Sequence, residues 1–327
     1  MNWNYGSDRE AVDGLKKLYG DFLRETGKVL VGQTDAIHSV WMALLANGHC
    51  FLVGVPGLAK TTLVQTISAV LDLDFKRIQF TPDLMPGDIT GSEILDANRQ
   101  FRFVPGPLFA NMVLADEINR TPPKTQSALL EAMQEHTVSY AGVTHALPEP
   151  FFVLATQNPL EQAGTYPLPE AQLDRFLLHI RVDYPSENEE RDILMQTTGS
   201  GSSRVPMVMA GEAVLGLQKL VREVHISPDM LVWINRLVRA SRPQSQTPGI
   251  GQWVKWGAGP RAGQALVLSA KARALIHGRF AVTEDDVRAL APPVLRHRLL
   301  LTFMAEAEQK SADDVVALLL AAVPYPR

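Results

Sequence analysis

The stretch HCFLVGVPGLAKTTLV, residues 49–64, contains the features that decide the fold class. Its first part, HCFLVG, is a short apolar run that ends at a glycine, which is typical of a buried parallel strand. In the following GVPGLAKT, residues 54–61, small residues let successive backbone N–H groups converge on a phosphate, while Lys60 can reach phosphate oxygens and the Thr61 hydroxyl can hold Mg²⁺. The loop follows a strand and opens a helix, which is the context of phosphate-binding loops, so we predict a nucleotide site here.

One position of this loop departs from the general phosphate-loop pattern. Ala59 stands where G-x-x-x-x-G-K-[ST] has its last glycine. Alanine tolerates helical dihedral angles, so we expect the loop to survive and its helix to start normally. The alternative is a glycine turn between strand and helix with an incidental lysine.

Two other strand ends carry polar residues that suit ATP chemistry. Asp116 and Glu117 end the apolar run VLA, where Asp116 would hold Mg²⁺ directly or through water and Glu117 would be the general base toward the attacking water. Asn158 follows the run FFVLAT, at the carboxyl end of a strand, where ligands of open α/β sheets bind, and it can fix that water. Each taken singly has an ordinary interpretation, as a solvated strand end or a turn. Their order after the lysine loop favours a catalytic site.

Further apolar runs alternate with helical patterns along the first part of the chain. The runs occupy residues 76–80, 111–116, 151–156 and 177–182. Helical spacing is found at residues 34–47 and 123–135. This alternation predicts a three-layer α/β sheet.

Two stretches interrupt the alternation. Residues 81–111 are rich in proline and glycine and contain FRFV, which predicts an insertion with a short hairpin. Residues 137–147 form two alternating segments across Ala141-Gly142, which predicts a β-hairpin. We expect both to protrude from the sheet.

A Gly/Ser-rich linker at residues 197–204 separates this part from the remainder, whose periodicity is helical. The sequence predicts a helical bundle from about residue 205. Within it, Thr283 with Asp286 three residues on resembles a capping box, with Asp in place of the usual Glu.

Some conspicuous side chains of the second part have unremarkable interpretations. The run RHR, residues 296–298, is expected to be a solvated basic face, and contact with nucleotide or a partner is the less favoured alternative. Trp253 and Trp256 are expected to cover the base of the bundle, and stacking on nucleic acid is the less favoured alternative.

Composition limits the functions that the chain can have. Its 327 residues exceed the roughly 150 of a typical domain, which favours two domains. A net charge of −4 provides no field over the whole protein that would hold a phosphate backbone, so nucleic acid is not an expected partner. Cys50 is the only cysteine, as expected of a reducing compartment such as the cytoplasm. The longest apolar run, residues 315–323, is too short to span a bilayer, so we predict a soluble cytoplasmic protein without membrane insertion.

These features resemble the MoxR family of AAA+ ATPases, over roughly residues 29–298. The similar strings are VGQ (31–33), GVPGLAKT (54–61), PDLMPGDITGSEI (82–94), PGPLFANMVLADEINRTPPKTQSALLEAMQE (105–135), ATQNPLEQAGTYPLPEAQLDRF (155–176) and GPRA (259–262). In that family the alanine at position 59 is expected.

The resemblance implies a P-loop AAA+ parallel sheet with helices on both faces, plus a smaller all-α lid domain. The implied organisation is an N-terminal helical segment at residues 1–28, a nucleotide-binding domain at 29–200 and a lid at 205–327. Residues 81–111 would contain the helix-two insert, and residues 137–147 would be the pre-sensor hairpin.

The resemblance also implies roles for arginines. Arg175 in LDRF resembles the arginine finger and Arg261 in GPRA the sensor-two arginine, while Arg120 is a second candidate for reaching across a subunit boundary. A guanidinium can neutralise charge that develops on the γ-phosphate, an effect worth about 10³–10⁵ in rate. Without the resemblance, a surface salt bridge would be the favoured role. The expected catalytic residues are Lys60, Glu117, Asn158, Arg175 and Arg261, the metal ligands Thr61 and Asp116, and the nucleotide contacts Gly32, Gln33, Gly54, Val55, Pro56, Gly57, Leu58, Ala59, Lys60, Thr61, Thr62, Asp116 and Arg261.

The function that this resemblance implies is ATP hydrolysis, with ATP and Mg²⁺ as cofactors, in a homo-oligomeric ring that is expected to be a hexamer. Such a ring remodels or matures a client protein, often one with a von Willebrand factor A domain and in some cases a metal-dependent enzyme. The alternative is a nucleic-acid-dependent AAA+ motor, against which the charge of −4 weighs. A small-molecule kinase would need an acceptor pocket, whereas Glu117 and Asn158 suit water.

Overall fold

The computed structural model describes residues 8–55, 57–95, 99–159, 164–198 and 205–326. They form two compact units. The α/β unit comprises Leu18–Leu168 and Ile180–Gly216, and the helical unit comprises Met1–Lys17, Pro169–His179 and Leu217–Arg327. Most of the predicted linker, residues 199–204, lies outside the described residues.

In the first part of the chain, the described residues form α1 (Asp8–Gly27), α2 (Thr34–Leu45), β1 (Cys50–Gly54), α3 (Lys60–Val70), β2 (Phe75–Gln79), α4 (Pro86–Thr90), β3 (Gly91–Leu95), β4 (Phe101–Pro105), β5 (Met112–Asp116), α5 (Pro123–Glu135), β6 (Thr137–Tyr140), β7 (Val143–Ala146) and β8 (Phe152–Gln157). There follow α6 (Glu170–Leu173), β9 (Leu178–Val182), α7 (Glu187–Thr197), α8 (Gly211–Glu223), α9 (Pro228–Ala240), α10 (Ile250–Trp253), β10 (Val254–Trp256), α11 (Pro260–Ile276), α12 (Glu284–Leu295), β11 (Leu300–Leu301), α13 (Phe303–Ala307) and α14 (Ala312–Ala322). Short 3₁₀ turns lie at Ile118–Arg120 and Arg296–Arg298.

The central sheet has five strands in the order β2-β5-β8-β1-β9. The pairs β2–β5, β5–β8 and β1–β8 are parallel, with Leu154 opposite both Cys50 and Leu114. The first four residues of β5 are fully buried, as their unbroken apolar run predicts. The expected α/β fold with a parallel sheet is therefore confirmed. Its order brings the carboxyl ends of β5, β8 and β1 next to one another.

Both predicted hairpins are present. Strands β3 and β4 pair antiparallel after the short helix α4, within the stretch 81–111. Strands β6 and β7 pair across Ala141 and Gly142, whose φ angles of 48° and 81° are the two positive values that a type I′ turn requires. The hairpin side chains Ile94, Leu95 and Phe101 are exposed.

The helical unit also contains a two-stranded antiparallel ladder of β10 and β11. Sequence analysis predicted only helices here, because strands of two or three residues are too short to show an alternating pattern. Residue Trp256 at the end of β10 is 71% exposed, whereas Trp253 donates from Nε1 to Glu308 at 2.8 Å.

Two charged sites are buried inside the helical unit. The Asp286 carboxylate accepts from the Thr283 backbone N–H at 2.9 Å, which confirms the capping box, and it also binds Arg273 and Arg279. The predicted solvated face at residues 296–298 is wrong, since Arg298 is only 8% exposed and its guanidinium binds the Asp174 carboxylate and nearby carbonyls. No helix among the described residues is both long and apolar enough to cross a membrane.

Candidate nucleotide site

The loop between β1 and α3 contains two residues with left-handed backbone angles. Gly57 has φ 85°, and Ala59 has φ 50° and ψ 31°. The helix begins at Lys60, as expected, but the expectation that Ala59 takes ordinary helical angles is wrong. A residue with a Cβ is strained in the left-handed region, where glycine is not. Pro56, an expected nucleotide contact, lies outside the described residues.

Lys60 is half-buried and donates a hydrogen bond to the carbonyl of Gly54. Burial lowers the pKa of Lys60, and the carboxylates of Asp116 and Glu117 oppose that shift. The structure therefore brings the lysine and the acidic pair into one electrostatic site. Thr61 follows in the first turn of α3, with its side chain partly exposed.

Glycine is required at position 54 for a packing reason. A Cβ there would lie 2.8 Å from the carbonyl oxygen of Val182 on the neighbouring strand β9. Val55 then leads out of the sheet into the loop, followed beyond Pro56 by Gly57 and Leu58. Thr62, next to Thr61 in α3, is partly exposed.

The expected contacts Gly32 and Gln33 lie beside this loop. The Gln33 side-chain amide donates to the carbonyl of Leu58 at 2.8 Å. Gly32 has φ 73°, and a Cβ there would meet the Glu189 side chain at 2.8 Å. The segment before α2 is thus attached to the loop by a side chain that is distant in sequence.

Asp116, at the end of β5, has both carboxylate oxygens engaged. Thr156 donates from Oγ1 to Oδ1 at 2.6 Å, and Arg77 donates from Nη2 to Oδ2 at 2.7 Å. The same Thr156 oxygen accepts from the Glu117 backbone N–H at 3.0 Å. The Thr156 hydroxyl, near the end of β8, therefore holds both the Asp116 carboxylate and the Glu117 backbone where β5 ends.

Glu117 is held by side chains on two sides. Its backbone is left-handed at φ 56°, and its Oε2 accepts from Gln79 Nε2 at 2.8 Å and lies 3.3 Å from Arg120 Nη1. Arg77 also donates to Gln79 at 2.5 Å. Sequence analysis missed Arg77, Gln79 and Thr156. Gln79 and Thr156 had one signal, their positions at or next to the ends of short strands, whereas Arg77 lies in the middle of β2.

The remaining expected catalytic residues are placed as follows. Asn158 is buried, at 4% exposure, directly after β8. Arg175 and Arg261 belong to the helical unit, the first half-buried just after α6 and the second exposed in the first turn of α11.

The residues around the loop fit a nucleotide-bound Mg²⁺. Magnesium prefers oxygen donors and commonly takes only one or two carboxylates, with phosphates and water completing its shell. Thr61 and Asp116 offer a hydroxyl and a carboxylate of that kind. No group of three or more His, Cys, Asp or Glu side chains suited to a metal occurs among the described residues.

Comparison with known proteins decides the family. Residues 49–178 match the model of the ATPase family associated with various cellular activities (AAA), and residues 251–318 match that of the AAA lid domain. The chain is 43% identical to Chaperone MoxR1 of Mycobacterium tuberculosis, over 93% of this chain and 81% of that protein. It is 30% identical to Protein MoxR of Methylorubrum extorquens, over 93% and 94%. The chain belongs to the MoxR family of AAA+ ATPases.

Other members and neighbours agree with this MoxR-family assignment. The chain is 45% identical to YeaC of Bacillus subtilis, described as uncharacterized, over 96% of this chain and 97% of that protein. The crystal structure of a candidate ATPase from Cytophaga hutchinsonii has a TM-score of 0.91 and 39% identity, over 97% of this chain and 98% of that one. The resemblance found in the sequence is therefore confirmed.

Proposed function

We propose that this MoxR-family chain binds ATP with Mg²⁺ and hydrolyses it. The observation that supports this most is the convergence of Lys60, Asp116 and Glu117, since the two carboxylates act on the pKa of the lysine. Asp116 ends β5 and Glu117 follows it, Lys60 begins α3 after the loop that leaves β1, and Asn158 lies after the intervening strand β8. Open α/β sheets bind their ligands at such strand ends.

The side chains have distinct roles in the proposed reaction. Lys60 would exchange its bond to the Gly54 carbonyl for phosphate oxygens. Thr61 and Asp116 would hold Mg²⁺, which neutralises phosphate charge when bound. Glu117 would accept a proton from the water whose oxygen attacks the γ-phosphorus, while the bond to the β-phosphate breaks. Asn158 would orient that water.

We infer that the active form is a homo-oligomeric ring, expected to be a hexamer. Arg175 would act on the γ-phosphate bound by a neighbouring subunit, and Arg261 would contact nucleotide from the helical unit. A relative named as a chaperone supports a client that is a protein. A client with a von Willebrand factor A domain, in some cases a metal-dependent enzyme, is the form of this proposal that the family resemblance suggests.

Mixing two inactive variants tests the shared site. Glu117→Gln lacks the base and Arg175→Ala lacks the finger, so each should bind ATP but turn it over poorly. In a mixture, some interfaces pair an intact Glu117 with the intact Arg175 of a neighbour, and hydrolysis should partly recover. Arg191→Ala, on an exposed face of α7, is the control and should stay active alone. A wild-type chain that is a fully active monomer at every dilution would overturn the shared site.

The nature of the client is tested separately. ATP turnover is measured with DNA and with a protein that co-purifies from the native host. Stimulation by the protein supports the chaperone role. Stimulation by DNA alone would replace that role with a nucleic-acid motor.

A further inference from the structure

The segment that carries Arg175 is bound by another part of the helical unit. We call residues 174–179 the finger segment and the 3₁₀ turn at Arg296–Arg298 the RHR turn. Both belong to the helical unit, although more than a hundred residues of sequence separate them. All of the contacts described below lie within this unit.

The Arg298 guanidinium uses all five of its N–H donors on protein acceptors. Nε donates to the Asp174 carboxylate at 2.7 Å, and Nη2 donates to the carbonyls of Asp174 at 3.1 Å and Phe176 at 2.6 Å. Nη1 donates to the carbonyl of Leu177 at 3.3 Å and to that of Val294. Three of these carbonyls belong to residues just before and just after Arg175.

The two neighbours of Arg298 in the RHR turn extend the attachment. A ring nitrogen of His297 lies 3.1 Å from the carbonyl oxygen of Phe176, and Arg296 donates to the carbonyl of His179 at 3.3 Å. The Phe176 side chain is itself fully buried. The backbone of the finger segment is therefore fixed on both sides of Arg175.

Stability alone is a poor reason for this arrangement. Burial lowers the pKa of Arg298, and the Asp174 carboxylate opposes that shift. Apolar residues of similar volume commonly give equal or greater stability than a buried ion pair. A planar guanidinium instead offers fixed directions, and five directed bonds hold a backbone more rigidly than apolar packing does.

We propose that Arg298 is a positioning residue for Arg175. By holding the carbonyls of Asp174, Phe176 and Leu177, it fixes the backbone from which the Arg175 side chain extends. The inference rests on the proposed function, in which Arg175 acts on the γ-phosphate. A displacement of 1 Å at a catalytic group can cost about 10²-fold in rate, so loss of this attachment should lower turnover without lowering ATP affinity.

The test uses two variants of the full-length chain. Arg298→Lys keeps the charge but cannot form five directed bonds, and Asp174→Asn removes one carboxylate from a partly exposed position. Arg279→Gln is the control, because Arg279 also pairs with a carboxylate of the helical unit, that of the buried Asp286, but does not touch the finger segment. Measurements are kcat, ATP affinity and Tm for each variant, alone and combined with Arg175→Ala.

We expect Arg298→Lys to lower kcat by about 10- to 100-fold with ATP affinity unchanged, and Asp174→Asn to do so less strongly. Neither should lower kcat further once Arg175 is alanine, since residues that act through one group are non-additive. A mixture of Arg298→Lys and Glu117→Gln should recover hydrolysis, as the mixture of Arg175→Ala and Glu117→Gln should. At some interfaces the intact Glu117 of an Arg298→Lys subunit is then paired with the correctly positioned Arg175 of a Glu117→Gln subunit. A merely structural defect would not be rescued in this way.

Specific results would overturn the inference. The inference fails if Arg298→Lys and Asp174→Asn both hydrolyse ATP at least as fast as Arg279→Gln. It also fails if these variants lower kcat by the same factor in the Arg175→Ala background as in the wild type. If Arg298→Lys does not fold, the same comparisons are decided by Asp174→Asn. Normal turnover of Arg175→Ala would instead overturn the proposed finger itself, so the two failures are distinguishable.

Discussion

The side-chain amide of Gln79 donates a hydrogen bond of 2.8 Å to Oε2 of Glu117. The same oxygen lies 3.3 Å from Arg120 Nη1, in the turn that follows Glu117. The proposed base is thus oriented by a neighbouring strand and by its own turn. In this conformation Arg120 is paired with a carboxylate of its own chain.

Replacing Glu117 by glutamine should separate ATP binding from hydrolysis. The amide oxygen that Glu117→Gln introduces can still accept from Gln79, but it cannot take a proton from water. We expect turnover to fall by about 10²–10⁴-fold with ATP affinity retained. Phosphate release and nucleotide titration measure the two quantities, and Glu135→Gln, an exposed acid at the end of α5, is the control. Normal turnover would remove Glu117 from the mechanism.

Lys60→Ala should abolish ATP binding. Lys60 is the one cation among the described residues of the loop 54–61, and the carboxylates of Asp116 and Glu117 act on its charge. Wild-type protein at ATP-Mg²⁺ about 100 times the Kd should gain about 2.7 kcal/mol of stability and a higher Tm, and the variant should gain neither. Lys124→Ala, exposed in α5, is the control. A Tm rise in Lys60→Ala equal to that of the wild type would refute the assignment.

Removing Arg77 should increase the apparent affinity for Mg²⁺. Arg77 Nη2 donates to Oδ2 of Asp116 at 2.7 Å, so the guanidinium competes with Mg²⁺ for this carboxylate. Its side chain is 46% exposed, so the competition is worth about 1 kcal/mol or less, which is at most a shift of about fivefold. The Mg²⁺ concentration for half-maximal hydrolysis should be lower in Arg77→Gln than in wild type. A higher one would show that Arg77 assists the metal site.

The sequence predicted the sheet, the hairpins and the loop, because these depend on local patterns of apolar residues and turn formers. It could not predict the partners of the site, because Arg77 and Thr156 reach Asp116 only through the strand order β2-β5-β8, which periodicity does not contain. The buried Arg298 was misjudged for a similar reason. Four of its five acceptors belong to Asp174, Phe176 and Leu177, which lie more than a hundred residues earlier in the chain.

Ala59→Gly should relieve strain in the loop. Ala59 lies at φ 50°, where a Cβ costs about 1–2 kcal/mol, while alanine restricts the unfolded chain by about 0.4–1 kcal/mol relative to glycine. The two effects leave a net stabilisation of about 0–1.6 kcal/mol for the glycine variant. Urea unfolding measures it, with ATP affinity expected to be unchanged. A clear loss of stability would show that the alanine methyl group makes a favourable contact.

Acid should destabilise the α/β unit through His49. The buried ring accepts from the Val153 N–H at Nδ1 and lies 2.9 Å from the Met133 carbonyl at Nε2, so the neutral ring with its proton on Nε2 satisfies both contacts. Burial is the main reason that the pKa of His49 is lowered from 6.5 to about 4. The unfolded chain therefore binds a proton more readily between these values, and stability falls as pH drops from about 6.5 to about 4.

The size and origin of this loss can be measured. At about 1.4 kcal/mol per pKa unit, His49 accounts for up to roughly 3 kcal/mol of the free energy of unfolding. His49→Gln retains an acceptor and a donor but does not titrate, so its urea midpoint should depend less on pH between 7 and about 4 than that of the wild type. Identical slopes in the two proteins would mean that other groups cause the acid sensitivity.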